Sequence, residues 1–497
     1  MVARLKATVI GAGLGGIATA GRLARNGYDV TIYEKNAVPG GRCGQLIRDG
    51  HRFDTGATLF LMPEIFEETY AALGESMAKH LDLRRIDPTY RVRFGDGFEI
   101  SLSSNMHDMQ TQLEAVEPGS FHAFLRYLAE GHRNYHKSIQ YFVGRNFYNI
   151  AQYFSPKNFP LLFELKALLK HYDSVSRYFK DPHLRAAFTF QDMYLGLSPY
   201  EALATYSLLQ YTEMVNGVWF PIGGLYRAVE TLTEIVEAQG VTIRYSTPVS
   251  SILVDGRRTT GVELVGGERV EADVVVANAD LPYVYEQLLP RDESAIRRLN
   301  GLKYTCSALM FFWGVDKEYP QIQHHNVFLS NDYKGSFDRI FNEHGLPDDI
   351  SFYVHAPART DPDAAPAGQD TLTVLVPVGH ISDETPQDWD AITAQARATV
   401  LSRLEELGVN DLDDHLKFEE VFTAPTWQKL YNLAKGAAFG LSHNFLQVGY
   451  LRPQNRHRRY NNLYFVGAST HPGTGLPIVL LSARLTTERI LHDAGMK

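Results

Sequence analysis

Apolar residues in this chain concentrate in short β-branched runs, and near both ends those runs are cut by glycine. Residues 6–10 (Lys-Ala-Thr-Val-Ile) predict a strand, an alanine-rich stretch predicts a helix stopped at Asn26-Gly27, and residues 28–33 predict a second strand ending before Glu34. Pro63 suits the first turn of the next helix. Residues 82–102 predict short strands turned at Gly95-Asp96-Gly97, and 108–215 is mainly helical by pattern. A helix over 224–239, strands over 241–245 and 250–254, and a hairpin turned at Gly266-Gly267 follow. Residues 273–278 (Asp-Val-Val-Val-Ala-Asn) predict a strand of the fully buried, parallel-sheet kind, which returns the chain to its first sheet. Between 286 and 420 strands (306–312, 351–354, 371–376) alternate with two helices, and 361–369, rich in Pro and Ala, is a surface loop. The last signal is a strand over 461–468, a glycine-rich loop, and a helix from Pro477 to Leu491.

The first turn carries chemistry. Gly11-Ala12-Gly13-Leu14-Gly15-Gly16 joins strand to helix, and an acid closes the second strand. Gly11 permits the tight turn, Gly13 lets backbone approach a pyrophosphate at the helix N-terminus, Gly16 lets helix and strand pack closely, and Glu34 can accept ribose hydroxyls. This is a dinucleotide site. A second glycine pair in Pro39-Gly40-Gly41-Arg42, followed by Phe53-Asp54-Thr55-Gly56, points to FAD rather than NAD, because a simple NAD module proceeds straight into its next helix. Arg42 can neutralise a phosphate. The C-terminal Ser469–Pro477 loop is a second cofactor signal, since a helix N-terminus beside a flavin pyrimidine would stabilise negative charge on the reduced ring.

Length and charge narrow the class. At 497 residues the chain exceeds one ordinary core, so two or more interleaved domains are expected. With 21% charged residues it reads as globular, and a net charge of −9 argues against nucleic acid. Cys43 and Cys306 are its only cysteines, which indicates a reducing compartment and neither a disulfide framework nor a zinc site; no metal is expected. The basic, apolar N-terminus resembles a signal peptide, but cleavage would destroy the fingerprint. No apolar run is long enough to span a bilayer, so membrane contact would be peripheral. Residues 133–172 carry six Lys/Arg, one acid (Glu164) and ten Phe/Tyr. Such interleaving fits either helices lying in a lipid interface or a buried aromatic pair of helices with solvated basic edges.

Taken together, the motifs resemble those of bacterial and fungal phytoene desaturases, carotenoid desaturases of the FAD-dependent amine-oxidase-like superfamily. The resemblance rests on Gly11–Gly16, Pro39–Arg42, Asp54–Thr58 with Leu61-Met62-Pro63, Tyr194–Tyr200, Trp219–Gly224, His324-His325-Asn326, Gly449–Pro453 and Asn462–Pro477. It implies an α/β fold: a Rossmann-like FAD-binding domain of the amine-oxidase/glutathione-reductase type (1–75, 220–285, 440–497), a mixed-sheet substrate domain (76–107, 286–439), and a helical, membrane-facing region (108–219). It implies desaturation of phytoene or its C30 analogue at a membrane surface, in the cytoplasm, with oxygen or quinone reoxidising the flavin. FAD contacts carry over onto Gly11, Gly13, Gly16, Glu34, Lys35, Arg42, Gly467, Leu476 and Pro477, with Val249 as a backbone contact to adenine.

Desaturation removes a hydride, which flavin N5 accepts, and a proton from neighbouring carbons. An extended polyene delocalises the resulting cation, so no strong base is demanded. His471 is the one candidate for touching the chemistry; Asp54 reads as a turn or cap residue and Asp192 as structural. Three other readings stay open: a carotenoid isomerase, saturase or ketolase on the same fold, a non-redox isoprenoid-lipid carrier like the escort proteins of prenylated GTPases, and an amine oxidase, for which no aromatic-cage signature is seen. Chain length of the substrate, number of steps and oligomeric state are not set by the sequence.

Overall fold

A computed structural model describes residues 4–496. Its first layer is a five-stranded parallel sheet in the order Leu463–Phe465, Val274–Ala277, Lys6–Ile10, Asp29–Tyr33, Thr242–Arg244. The central strand comes from the N-terminus and an edge strand from the last tenth of the chain. Burial on both faces explains the unbroken apolar run at Val274–Ala277. Helices Leu14–Arg25, Tyr226–Ala238 and Leu476–Asp493 supply apolar side chains to the same core, where Ile17, Leu232 and Leu480 are fully buried. Gly21 fits between Val236 and Leu73: a Cβ there would meet their methyl groups at 2.6 and 2.7 Å.

A small antiparallel sheet (Val249–Asp255, Arg258–Leu264, Arg269–Glu271) flanks this unit, with the expected turn at Gly266-Gly267. The second large layer is a seven-stranded sheet in the order Leu416–Phe422, Ser307–Val315, Asp370–Val378, Phe352–His355, His325–Leu329, Tyr90–Phe94, Glu99–Leu102. Every pairing in it is antiparallel except His325–Leu329 with Tyr90–Phe94. The hairpin at Gly95-Asp96-Gly97 is therefore one edge of this sheet. Three α-helices occur between 286 and 420 where the sequence pattern gives two: Glu293–Asn300, Tyr333–Phe341 and Trp389–Glu405. The first is short and rich in charge, and only Ala295 and Leu299 of it are buried, so its apolar period is weak.

Residues 106–216 are helical but much broken. Helix Ser120–Ser138 runs directly into a π-turn (Ile139–Val143), and Thr212–Asn216 is another. Pro160 and Pro182 start short helices, Phe159–Glu164 and Pro182–Ala187. Among the described residues, no helix is long and apolar enough to cross a membrane.

Candidate active site

One cavity of about 480 Å³ lies between the two large sheets. Gly13 opens helix Leu14–Arg25 and Gly475 opens helix Leu476–Asp493, and neither helix has a side-chain cap. Both bare N-termini line the cavity, so their free N–H groups and positive dipole ends are available to an anion. Glycine is required at Gly11, with φ +97°, where a Cβ would lie 2.9 Å from the Asn278 carbonyl oxygen. Gly16 does not line the cavity. A Cβ on it would stand 2.2 Å from the Gly11 carbonyl oxygen, so its place is the close packing of helix on strand.

The Glu34 carboxylate is buried at the cavity edge, where Ala12 N–H donates to Oε2 (2.7 Å) and Asn36 N–H to Oε1 (2.8 Å). Each oxygen keeps a second acceptor site. Lys35 donates to Asn432 Oδ1 (3.0 Å), and Arg42 Nη1 to the Ala438 carbonyl (2.9 Å). Burial pulls the Arg42 guanidinium below its usual range, opposed by the charge of Asp280. Gly11, Gly13, Glu34, Lys35, Arg42, Val249, Gly467, Leu476 and Pro477 all line this one cavity.

His471 does not. Its ring is 2% exposed, with Nε2 3.0 Å from the Arg145 carbonyl oxygen and the Phe147 ring beside it, and it is absent from the cavity wall. Burial pushes its imidazole down to about 4. The expectation that His471 touches the chemistry meets a ring that is set behind the loop, held by the Arg145 carbonyl and off the described cavity lining. Asp54 is a cap, accepting from the N–H groups of Leu225 (2.9 Å) and Tyr226 (3.1 Å) at the start of helix Tyr226–Ala238, and burial pushes it up to about 6. Asp192 pairs with His171 Nδ1 at 2.8 Å in the helical region, both side chains buried.

Three residues of the site escaped the sequence reading. Asn278 ends strand Val274–Ala277, and its side chain lies against Gly11, Gly13, Gly15 and Gly467, donating to the Gly11 carbonyl at 3.3 Å. Asp280, buried and raised by desolvation, binds the Ser469 hydroxyl and the Ala434 N–H (2.9 Å) and so holds the C-terminal loop. Arg452 is 1% exposed and donates to five carbonyls, those of Thr470, Ser442, Gln447, Leu441 and Ala468, at 2.6–3.2 Å. The apolar strand ending at Asn278 was a signal for the first two; Arg452 lies in the Gly449–Pro453 motif of the family resemblance, but nothing local gives its role.

Away from these groups the wall is apolar. A cross-strand row of the seven-stranded sheet, Met310–Leu375–Tyr353–Val327, lies in register on one face and lines it. Leu59, Leu61, Phe190, Met193, Leu209 and Phe337 face it from the helices and loops. The only charged residues in the lining are Glu34, Lys35, Arg42 and Asp280, all on the glycine-rich side.

A family model described as flavin containing amine oxidoreductase matches residues 14–491. The chain belongs to that family. FAD is the cofactor of this oxidoreductase; the uncapped N-terminus at Gly13, the glycine turn and the buried Glu34 carboxylate fit its pyrophosphate and ribose, and the uncapped N-terminus at Gly475 fits the electron-rich side of its ring. The oxidoreductase is 48% identical over 492 residues, 98% of this chain and 95% of the relative, to the zeta-carotene-forming phytoene desaturase of Myxococcus xanthus. It is 33% identical to the 4,4'-diapophytoene desaturase (4,4'-diaponeurosporene-forming) of Staphylococcus aureus, covering 98% of this chain and 99% of that one. Its fold matches the crystal structure of an oxidoreductase from Methanosarcina mazei with a TM-score of 0.64 at 17% identity, over 97% of this chain and 100% of that one.

Proposed function

We propose that this oxidoreductase desaturates a long polyene carotenoid precursor, phytoene or its C30 counterpart. One observation carries the reading: the cofactor cradle and a charge-free apolar wall belong to the same cavity. An amine substrate would leave its ammonium unpaired in that wall, at a cost a hydrocarbon does not meet. The desaturase relatives support the same substrate class.

FAD, when bound, accepts a hydride from the substrate carbon. Gly11 and Gly13 would give the pyrophosphate a close backbone approach, Arg42 would offset its charge, Glu34 would accept ribose hydroxyls, and Val249 would offer its backbone to the adenine. Lys35 holds the segment around Asn432, and Gly467, Leu476 and Pro477 would shape the flavin side. The row Met310–Leu375–Tyr353–Val327 holds the chain extended and keeps water out. The positive charge left on the substrate is shared along its conjugated system, so a weak, neutral oxygen acceptor such as a water or a hydroxyl suffices to take its proton; away from Glu34 and Asp280 the wall carries no carboxylate. His471 fixes the loop through the Arg145 carbonyl.

The domain division follows the same reading: residues 1–75, 220–285 and 440–497 bind the cofactor, 76–107 and 286–439 the substrate. Residues 108–219 form the helical, membrane-facing region, and within it the segment 133–172 supplies the membrane side. Phe142, Phe147, Tyr153 and Leu162 make a small core there, while Ile150, Phe159, Phe163 and Leu168 are 54–63% exposed beside Lys157. Apolar side chains flanked by a cation suit a peripheral lipid contact; oxygen or a membrane quinone takes the electrons.

Expression in cells that accumulate phytoene, and separately its C30 counterpart, tests the proposal. Coloured, more conjugated products are expected in at least one strain. Unchanged colourless precursor in both, with yellow flavin-loaded protein present, would overturn it. An isomerised or more saturated product would assign the chain to the related activities on this fold.

A further inference from the structure

Three histidines meet next to the substrate wall. His325 opens strand His325–Leu329 and stands directly opposite His355, the last residue of Phe352–His355. Val327 and Tyr353, two residues further along the same strands, line the cavity, so His325 and His355 share their face of the sheet. His324 joins them from the turn before. All three side chains are buried, and one ring nitrogen of each lies within 4.8 Å of the other two.

Outer contacts on two of the rings set which of their nitrogens face inward, while His355 Nδ1 has no partner. His324 Nδ1 is 2.7 Å from the Thr360 hydroxyl, and His325 Nδ1 is 2.6 Å from the Tyr353 hydroxyl. With Nδ1–H donated to those oxygens, both rings present Nε2 as a lone pair, the way metal-binding imidazoles are oriented by a second partner. His324 Nε2 and His355 Nε2 stand 3.2 Å apart, near the spacing of two ligands bonded to one tetrahedral ion at about 2.0–2.1 Å. His325 Nε2 has no hydrogen-bond partner. Left so, a buried ring nitrogen carries a desolvation cost that no partner offsets.

We propose that His324, His325 and His355 bind one zinc-class divalent cation through imidazole nitrogen. Borderline-soft ions with nitrogen preference suit a three-imidazole set; calcium and magnesium, which take oxygen, do not. The ion would tie the start of one strand to the end of its neighbour and fix the Tyr353 hydroxyl, which Thr58 Oγ1 also meets at 2.9 Å.

The test is metal analysis of flavin-loaded protein purified without chelator, then stripped with dipicolinate and titrated with zinc chloride. One zinc per chain is expected, bound again at micromolar free zinc, with a rise in the thermal midpoint on reloading. His325→Gln and His355→Gln should lose that zinc while keeping wild-type flavin content. Wild-type protein that is metal-free and takes up no zinc would overturn the proposal whatever the variants do, leaving a hydrogen-bonded trio of neutral imidazoles. Variants that retain flavin and equal zinc would overturn it too, by placing the ion elsewhere.

Discussion

Arg452 shows what one residue does for this site. Its charge is fully buried with no carboxylate bonded to it, and five carbonyl dipoles take the place of water; burial pulls the guanidinium down to about 10. Lysine has three donors and no planar fork. Arg452→Lys should therefore destabilise the protein by at least about 3 kcal/mol and lower the flavin retained through purification, read by thermal midpoint and the 450 nm-region flavin band. Glu213 gives a pH prediction. It sits fully buried in the π-turn Thr212–Asn216, accepts from the Tyr90 hydroxyl at 3.1 Å, and is pushed up to about 8 by desolvation. Between the ordinary carboxylate value and 8 the unfolded chain has lost this proton while the folded chain keeps it. Its contribution to stability is thus fully present in acid and falls as pH rises through that window, by about 1.4 kcal/mol per unit. Glu213→Gln should flatten the slope of stability between pH 5 and 8 in denaturant titrations; an unchanged slope would refute the assignment. Gly11, Gly13 and Glu34 were legible because their function follows from local spacing. Arg452, His324 and His325 stood out only as parts of motifs, and the roles of these residues, of Asn278 and of His355 were not legible, because their partners are remote in sequence.

At the scale of elements, glycine, proline and apolar period located most strands and the helices at both cofactor loops within a residue or two. The region 139–216 was the least legible. Its apolar residues serve two surfaces, an inner cluster around Phe142 and Tyr153 and an outer one at Phe159, Phe163 and Leu168, so no single helical stripe emerges. The basic residues are likewise divided. Lys166 pairs with buried Glu130 and Lys137 with Glu164, which takes those two cations out of any lipid contact. The lipid reading therefore rests on the exposed apolar side chains. Phe159→Asp with Phe163→Asp should cut co-sedimentation with anionic liposomes several-fold while leaving flavin content and melting unchanged. Undiminished binding would assign those rings to another partner.

At the scale of the molecule, the βαβ start and the late strand 274–277 announced the parallel sheet. A mixed sheet beside the cofactor domain was expected, but its strand order was not legible, because its one parallel pairing, Tyr90–Phe94 with His325–Leu329, joins segments that no local pattern connects. The first sheet has a consequence for biosynthesis. Its edge strand Leu463–Phe465 and the helix Leu476–Asp493 complete one wall of the flavin cradle. Synthesis must therefore pass residue 493, more than 480 residues after Gly11, before the cradle can close on its cofactor, and until then the apolar cavity needs guarding by something other than its own prosthetic group.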